Sequence, residues 1–411
     1  MTFFRFLGGA ARLIVKGNKA YYAWCAFLLT LILIGGWTYL KEFLSEHSEA
    51  NMNDSVSWAF FIGNYTFLVG VAAAAVVLVI PAYIYHWQPI KEIVILGELL
   101  AISAVIMVFG FVMVDLGHPE RFWHMLPMVG TLNFPFAILS WGIMAFNIYL
   151  MLNIVIVTYL LYKMYMDQTP NKKILWPLVI ISIPLAISIH TVTACIYNGM
   201  IARPYWNASI LAPRFLASAF CSGPAIIAIL LQILRRTTRL KIQDAAIWKI
   251  AELMAYAMAF NLFLTGVEVF KEYYSGGEHL VYTQYFWSGV GGHHTLVPYA
   301  WMSVLFSVTA FVLFLIPATR RNVITLNIGC VLIYFGVYIE KGVGLLIPGQ
   351  TPDTLGEIYE YFPSRTEVMV TAGIFSVGFL LYTIMVKVAV PVMLGEFRHG
   401  APPNNSVSAV P

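Results

Sequence analysis

Charge is what this chain has least of. Asp, Glu, Lys and Arg make up only 11% of its 411 residues, which excludes both an ordinary water-soluble domain and a disordered segment. Cysteine is sparse as well: Cys25, Cys195, Cys221 and Cys330 each stand alone in a different apolar stretch. With no C-x-x-C and no C-x-x-C-H, the chain is expected to hold no iron–sulfur cluster and no covalently attached haem of its own. Non-covalent haem b usually needs two histidines facing each other at membrane depth. Here only His190 lies well inside an apolar stretch, while His86, His118, His124, His279, His293 and His294 fall in loops or at span ends. Neither a haem nor a metal site is expected, although a loop histidine could ligate a cofactor of a neighbouring subunit. A cleavable signal is not expected either, because the first apolar run is too long and follows a basic segment.

What is abundant is hydrophobicity, with 60% apolar residues and a mean hydropathy of +0.78. Runs of about 20 apolar residues are long enough to cross a bilayer as helices. Ten are read, over 20–40, 57–85, 92–116, 137–164, 174–198, 208–234, 249–274, 297–317, 323–347 and 367–391. The expected fold is therefore an all-α polytopic membrane protein. With the N-terminus inside, seventeen Lys and Arg fall on inner segments and seven on outer ones, together the 24 of the chain. That bias places both termini in the cytoplasm and the protein in the cell membrane. The net charge of +4 is thus accounted for by topology; membrane lipids are the expected surroundings and nucleic acid is not an expected partner.

Spans two to five and six to nine run in the same directions, and their ionisable residues recur in register. Glu98 in GELLA corresponds to Glu252 in AELMA; Asp115 follows the first by seventeen residues and Glu268 follows the second by sixteen. Ile189-His190 leads nine residues on to Gly199, as Ile339-Glu340 leads to Gly349. Such a parallel repeat suggests two four-helix bundles flanked by two helices. The expected divisions are 1–56 (cytoplasmic segment and first span), 57–207 (first bundle), 208–350 (second bundle) and 351–411 (outer loop, last span and cytoplasmic tail).

An ionisable group within hydrocarbon costs about 2.5–3.5 kcal/mol even on the most lenient scale, so each is a functional candidate. Asp115, His190 and Glu268 lie towards the outer ends of their spans. At 1.5 Å per residue, His190 sits about 12 Å below the end of its helix. A histidine and desolvated carboxylates suit proton exchange near neutral pH, and quinone reduction takes two electrons, two protons and a hydrogen bond to each carbonyl. The competing reading is an interhelical hydrogen bond among His190, Thr191 and Glu268. Asn64 and Tyr65 would add donors to the same pocket, or be interface residues. Arg203, Tyr205 and Trp206, and Glu340 with Lys341, are weaker candidates; the last two point about 100° apart on a helix and need not pair. In Val114-Asp115-Leu116-Gly117-His118-Pro119-Glu120-Arg121-Phe122-Trp123, an Asp115–Arg121 ion pair and a Trp123 anchor are the plain alternatives. Glu98 and Glu252 form a second tier, with Glu340, as the start of a proton path; Asn147, Asn153, Asn261 and Asn327 are read as interhelical glue, and Gly70 to Ala75 as close helix packing.

These residues resemble a known family. Asp115-Leu116-Gly117-His118-Pro119-Glu120-Arg121-Phe122, His190 with Pro204-x-Trp206, and Asn64-Tyr65 with Phe67 are similar to the signature of the NrfD/polysulfide-reductase membrane subunits. Glu268-Val269-Phe270, Tyr273-Tyr274, Glu340-Lys341-Gly342 and Ile347-Pro348-Gly349 look like its ten-span branch, most like the DsrP-type, Hdr-like menaquinol oxidoreductase subunits. The resemblance covers roughly residues 15–395. It implies a quinone bound near the outer face, menaquinone or menaquinol, with electrons exchanged through a ferredoxin-like iron–sulfur subunit docked there. The further companions it implies are a multihaem cytochrome c, a haem b membrane subunit and a cytoplasmic heterodisulfide-reductase-like iron–sulfur subunit, in dissimilatory sulfur metabolism. It also implies that Asp115, His190 and Glu268 line the quinone pocket or its proton route, with Asn64, Tyr65, His118, Arg203, Trp206 and Lys341 as binding candidates. Two other classes remain open: a secondary transporter, which would break its helices near the midplane, and a purely structural anchor. Whether the chain counts as an enzyme depends on the complex around it.

Overall fold

In the computed structural model, residues 2–45, 50–125, 129–353 and 355–400 are described. Residues 401–411, the end of the expected tail, lie outside them. Among the described residues, ten helices are long and apolar enough to cross a membrane. A short amphipathic helix, α1 (Thr2–Val15), precedes them. The spans are α2 (Lys19–Leu44), α3 (Phe60–Ile84), α4 (Val94–Asp115), α5 (Ile138–Tyr165), α6 (Lys172–Asn198), α7 (Leu211–Thr237), α8 (Asp244–Ser275), α10 (Val297–Leu315), α11 (Val323–Gln350) and α12 (Arg365–Met393); α9 (Leu280–Trp287) is a short helix between α8 and α10. The chain is an integral multi-pass membrane protein, as its hydropathy implies.

Side-chain caps set several helix starts. Asn18 accepts the Tyr21 amide at 2.7 Å, Asn171 that of Lys173 at 3.0 Å and Asn322 that of Ile324 at 2.9 Å. Ser364 and Glu367 form a reciprocal capping box on α12, which answers two otherwise orphaned amides. At the other end of α8 the chain leaves through Gly276 at φ 58°, a left-handed conformation that glycine adopts without steric cost.

Contacts sort the spans into two four-helix sets, α3–α6 and α7, α8, α10 and α11, joined mainly where α3 crosses α7; α2 and α12 pair with each other and lean on α4. Helices α3 and α4 are apolar all round because they lie at the centre: every residue from Phe61 to Ala72 and from Val94 to Val105 is buried. The crossing of α3 and α7 is close because its residues are small. A Cβ on Gly223 would overlap that of Ala74, and one on Gly70 would stand 3.4 Å from the Ala219 Cα. In lipid, where hydrophobic burial gives little helix–helix attraction, such close backbone packing carries association. On α2 the buried residues Leu28, Gly35 and Glu42 recur every seventh position, forming one seam towards α12.

Two spans depart from regular α-helical geometry. The α-helical pattern of α3 is interrupted at Ala73 and gives way to a π-helical turn over Ile80–Ile84, where Pro81 has no amide to donate. A second π turn, Ile339–Val343, interrupts α11.

At the face opposite the termini, Glu360 accepts hydrogen bonds from Thr295 Oγ1 at 2.7 Å and His293 Nδ1 at 3.0 Å, tying two loops together. These bonds hold its carboxyl below the ordinary value of 4.5. A depressed carboxylate contributes its stabilisation above the ordinary value and loses it as pH falls through the lower one in the folded chain. Amide protection over residues 292–296 is therefore expected to fall as the pH drops below about 4.3, and to stay level across that range in Glu360→Gln.

At the α2–α12 seam a Cβ on Gly35 would lie 2.8 Å from the Gly373 Cα. Gly35→Leu is expected to destabilise the pair by about 1–3 kcal/mol, measured as a lower midpoint of unfolding in detergent, whereas Gly36→Leu, with open space around it, leaves the midpoint unchanged.

Candidate functional site

Helix α4 ends at Asp115, and Leu116 continues in an extended conformation. The carboxyl therefore stands at the rim of the first bundle rather than in a helical row. It faces a cavity of about 300 Å³, lined among others by Trp58, Tyr65, Phe109, Gly142, Phe146 and Tyr197. Gly142 on α5 and Gly117 after α4 contribute the room, since neither carries a side chain. Asp115 Oδ1 is buried and has no hydrogen-bond partner among the described residues. No ion pair joins it to Arg121 there.

Two hydroxyl pairs form the wall between α3 and α6. Thr193 donates to the Ile189 carbonyl at 2.7 Å, so the Tyr65 hydroxyl is the donor in its 3.4 Å contact with Thr193 Oγ1. By the same reasoning Thr66 donates to Ile62 at 2.8 Å and accepts from Tyr197 at 2.5 Å. The Tyr65 bond is long and weak, so its phenol is easily redirected into the cavity. Asn64, beside it, does not line the cavity; it donates to Phe60 and accepts from Tyr338 at 3.1 Å.

His190 is completely buried on α6. Its Nδ1 lies 3.1 Å from the Ala186 carbonyl, which places the proton on Nδ1 and leaves the Nε2 lone pair inward, without a partner among the described residues. Thr191 turns away and donates to Ile187, and Glu268 is engaged elsewhere. The structure thus does not form the alternative hydrogen-bonded trio of His190, Thr191 and Glu268.

The second bundle holds an ion cluster in the corresponding place. Arg214, one turn into α7, bonds Glu268 of α8 and, at 2.8 Å, Glu340 of α11. Asn261 donates to Glu340 at 2.9 Å and Thr265 at 3.1 Å. Beside them lies a space of about 40 Å³, enough for a few waters and too small for an organic ring. Lys341 points the other way, its ammonium 3.0 Å from the Phe215 carbonyl and 4.7 Å from that ring's centroid. The π turn separates these neighbours: Glu340 serves the second bundle and Lys341 the seam between bundles.

The remaining candidates are spread more widely. Trp206 is buried, donates to the Leu345 carbonyl at 2.8 Å and packs on Gly349; Arg203 donates to Gln350 at 2.7 Å. Both clasp the loop after α6 to the end of α11. His118 is exposed and sits 3.0 Å from Glu120. Glu98 is buried with Oε2 unpartnered among the described residues. Its repeat mate Glu252 is instead met by Tyr256 at 3.0 Å, Lys249 at 3.4 Å and Arg320 at 3.8 Å. Among the described residues no three His, Cys, Asp or Glu side chains converge as a metal site.

Two participants are absent from the sequence-based candidates. Arg214 is legible as a cation inside the 208–234 run, where it needs an acid, and two are at hand. Glu367, buried at the start of α12 and receiving the Tyr361 hydroxyl at 2.6 Å, reads in the sequence as an ordinary capping residue. The Tyr65–Thr193 and Tyr197–Thr66 pairings carry no sequence signal.

The family model described as "Polysulphide reductase, NrfD" matches residues 48–352. The chain is 23% identical to a selenate reductase subunit of Mesobacillus selenatarsenatis, over 91% of this chain and 94% of the relative. It is 23% identical to a putative dimethyl sulfoxide reductase membrane subunit of Halobacterium salinarum, over 86% and 87%. With the Hdr-like menaquinol oxidoreductase integral membrane subunit of Archaeoglobus fulgidus it shares 20% identity, over 91% and 94%.

Arg214→Gln would leave two carboxylates without their cation. It is expected to cost about 3–5 kcal/mol, as breaking a buried ion pair does, seen as a lower unfolding midpoint in detergent. Combining it with Glu268→Gln and Glu340→Gln should recover most of that loss.

Proposed function

The chain belongs to the NrfD, polysulphide reductase, family, and on that premise we propose that it is the quinone-reactive subunit of a membrane oxidoreductase complex. The observation that carries this reading is the cavity closed by Asp115, with an unpartnered carboxylate oxygen at one end and a loosely held phenol, Tyr65, along its wall. Its lining is largely aromatic and aliphatic with few polar groups, the usual character of a site for a flat organic ligand. A quinol that enters gives up two protons as two electrons leave. In this reading Asp115 takes or returns one proton at the ring oxygen, and Tyr65 orients that oxygen. His190, with its free Nε2 lone pair, receives protons behind the wall, and Glu268 and Glu340 hold the corresponding place across the seam. Glu98 marks a proton path towards the face that carries the termini.

In this reading the electrons pass to or from a redox centre held by a partner. We assign that partner to the face where Asp115 lies. Exposed Trp123, Phe136, Ile201 and Leu355 give that face apolar surface for an iron–sulfur subunit of ferredoxin type. The excess of Lys and Arg at the opposite ends of the spans supports a cytoplasmic location for both termini in the cell membrane. Menaquinone as the quinone is supported by the relative named for a menaquinol oxidoreductase, and a Dsr-type set of companions in sulfur metabolism rests on the resemblance of the sequence motifs. That set comprises a multihaem cytochrome c, a haem b membrane subunit and a heterodisulfide-reductase-like iron–sulfur protein. The other two relatives are named for a selenate reductase and a putative dimethyl sulfoxide reductase.

The test is quinol-dependent reduction of the partner's cluster in the purified complex. Asp115→Asn is expected to lower turnover by about 10²–10⁴, the usual contribution of a positioned proton-transfer group, and His190→Ala to abolish it, both with the complex still assembled. Unchanged turnover in either variant would remove that residue from the site, and solute uptake by vesicles containing this chain alone would replace the redox reading with transport.

A further inference from the structure

A second cavity shares no lining residue with the one at Asp115. It is an open, laterally facing cleft of about 650 Å³ where α3 and α7 of the two bundles meet α8. Its deep end is formed by Val76, Phe220 and Ala257, with no polar side chain among them. Its mouth carries Tyr85, Trp87 and Lys249, at the face of the termini. The π turn at the end of α3 forms part of its wall, through Ile80 and Pro81.

The dimensions match one leaflet. From Lys249 to Ala257 is eight residues along α8, about 12 Å at helical rise, against about 15 Å for half of the hydrocarbon thickness. The chemistry is graded in the same direction, from a cation through an aromatic collar to bare hydrocarbon, as is the lipid interface itself. Lys249 is 43% exposed and lies 3.4 Å from Glu252. That carboxylate keeps Tyr256 and Arg320 if the ammonium turns away. The short helix carrying the exposed Lys91 packs against α8 as well, which adds a second cation on that side of the mouth. A quinone ring placed deep in this cleft would find no hydrogen-bond donor.

We propose that the cleft is a binding site for an anionic phospholipid of the leaflet on the side of the termini, with one acyl chain filling the space between the bundles and the phosphate held by Lys249. The lipid then fills the space that α3, α7 and α8 leave between them.

Binding of phosphatidylglycerol and of phosphatidylcholine with the same acyl chains is measured on the delipidated full-length chain in detergent by native mass spectrometry. The wild type is expected to hold one phosphatidylglycerol at least about fivefold more tightly than phosphatidylcholine, the increment expected for one lysine near a lipid phosphate. Lys249→Gln should bring the two lipids to parity, and Ala257→Trp, which fills the deep end, should weaken both. Equal binding of the two lipids by the wild type overturns the proposal, as does an unaltered preference in Lys249→Gln. Displacement of the phospholipid by a long-chain menaquinone at equal concentration reassigns the cleft to quinone. Lys249→Gln alters a partly exposed side chain and decides the question even if Ala257→Trp does not fold.

Discussion

A charge in hydrocarbon has to find its opposite within the protein, and the second bundle is organised around that requirement. Arg214 enters from α7 and is met from α8 by Glu268 and from α11 by Glu340, so one side chain fixes the mutual rotation of three helices. Asn261 and Thr265 fill the remaining acceptor positions of Glu340. Lys341 cannot join the cluster without adding a second cation, and it lies on the far side of its helix, against a backbone carbonyl and an aromatic face. Because α7 is also the helix that crosses α3, the orientation set by this cluster passes directly into the wall of the first bundle.

The two bundles share a plan and use it differently. Asp115 and Glu268 occupy corresponding places, but the first faces open space and the second an arginine. The same holds for Glu98, buried with an unpartnered oxygen, and Glu252, held by lysine, arginine and tyrosine. In each pair the first bundle retains the uncompensated group. A carboxylate that already holds a cation has its lone pairs occupied, whereas an unpartnered one can still take a hydrogen bond from whatever enters beside it. That asymmetry fits a molecule in which one half is worked on and the other holds it in place.

Much of this is legible in the sequence. The ten spans follow from run length alone, because the bilayer sets a length that few other constraints imitate. The register of Asp115, His190, Glu268 and Glu340 is readable because ionisable residues are rare enough in such spans to stand out. Arg214 is harder to see because, near a span end, a cation counts towards topology and not towards depth. Trp206 and Arg203 look like site residues in a loop motif, and the structure shows them clasping α11; a motif records that residues recur, not what they touch. The Asp115 cavity depends on two glycines and a helix end meeting in space. The breaks within α3 and α11 depend on π turns, which have no compositional signature beyond an occasional proline.

The π turn of α11 differs from an α-helix by a single extra residue accommodated without breaking the helix. Removing one residue between Ile339 and Val343 would leave a continuous helix of nearly the same length and hydropathy. Every side chain beyond it would keep its bearing, because the five-residue π turn and a four-residue α turn sweep nearly the same angle, and Gly349 would stay under Trp206. Hydropathy would not register the change. A single deletion within a regular stretch of α11 would instead turn everything beyond it by about 100°, so the residue count of α11 on either side of the π turn is under tighter constraint than its apolar composition.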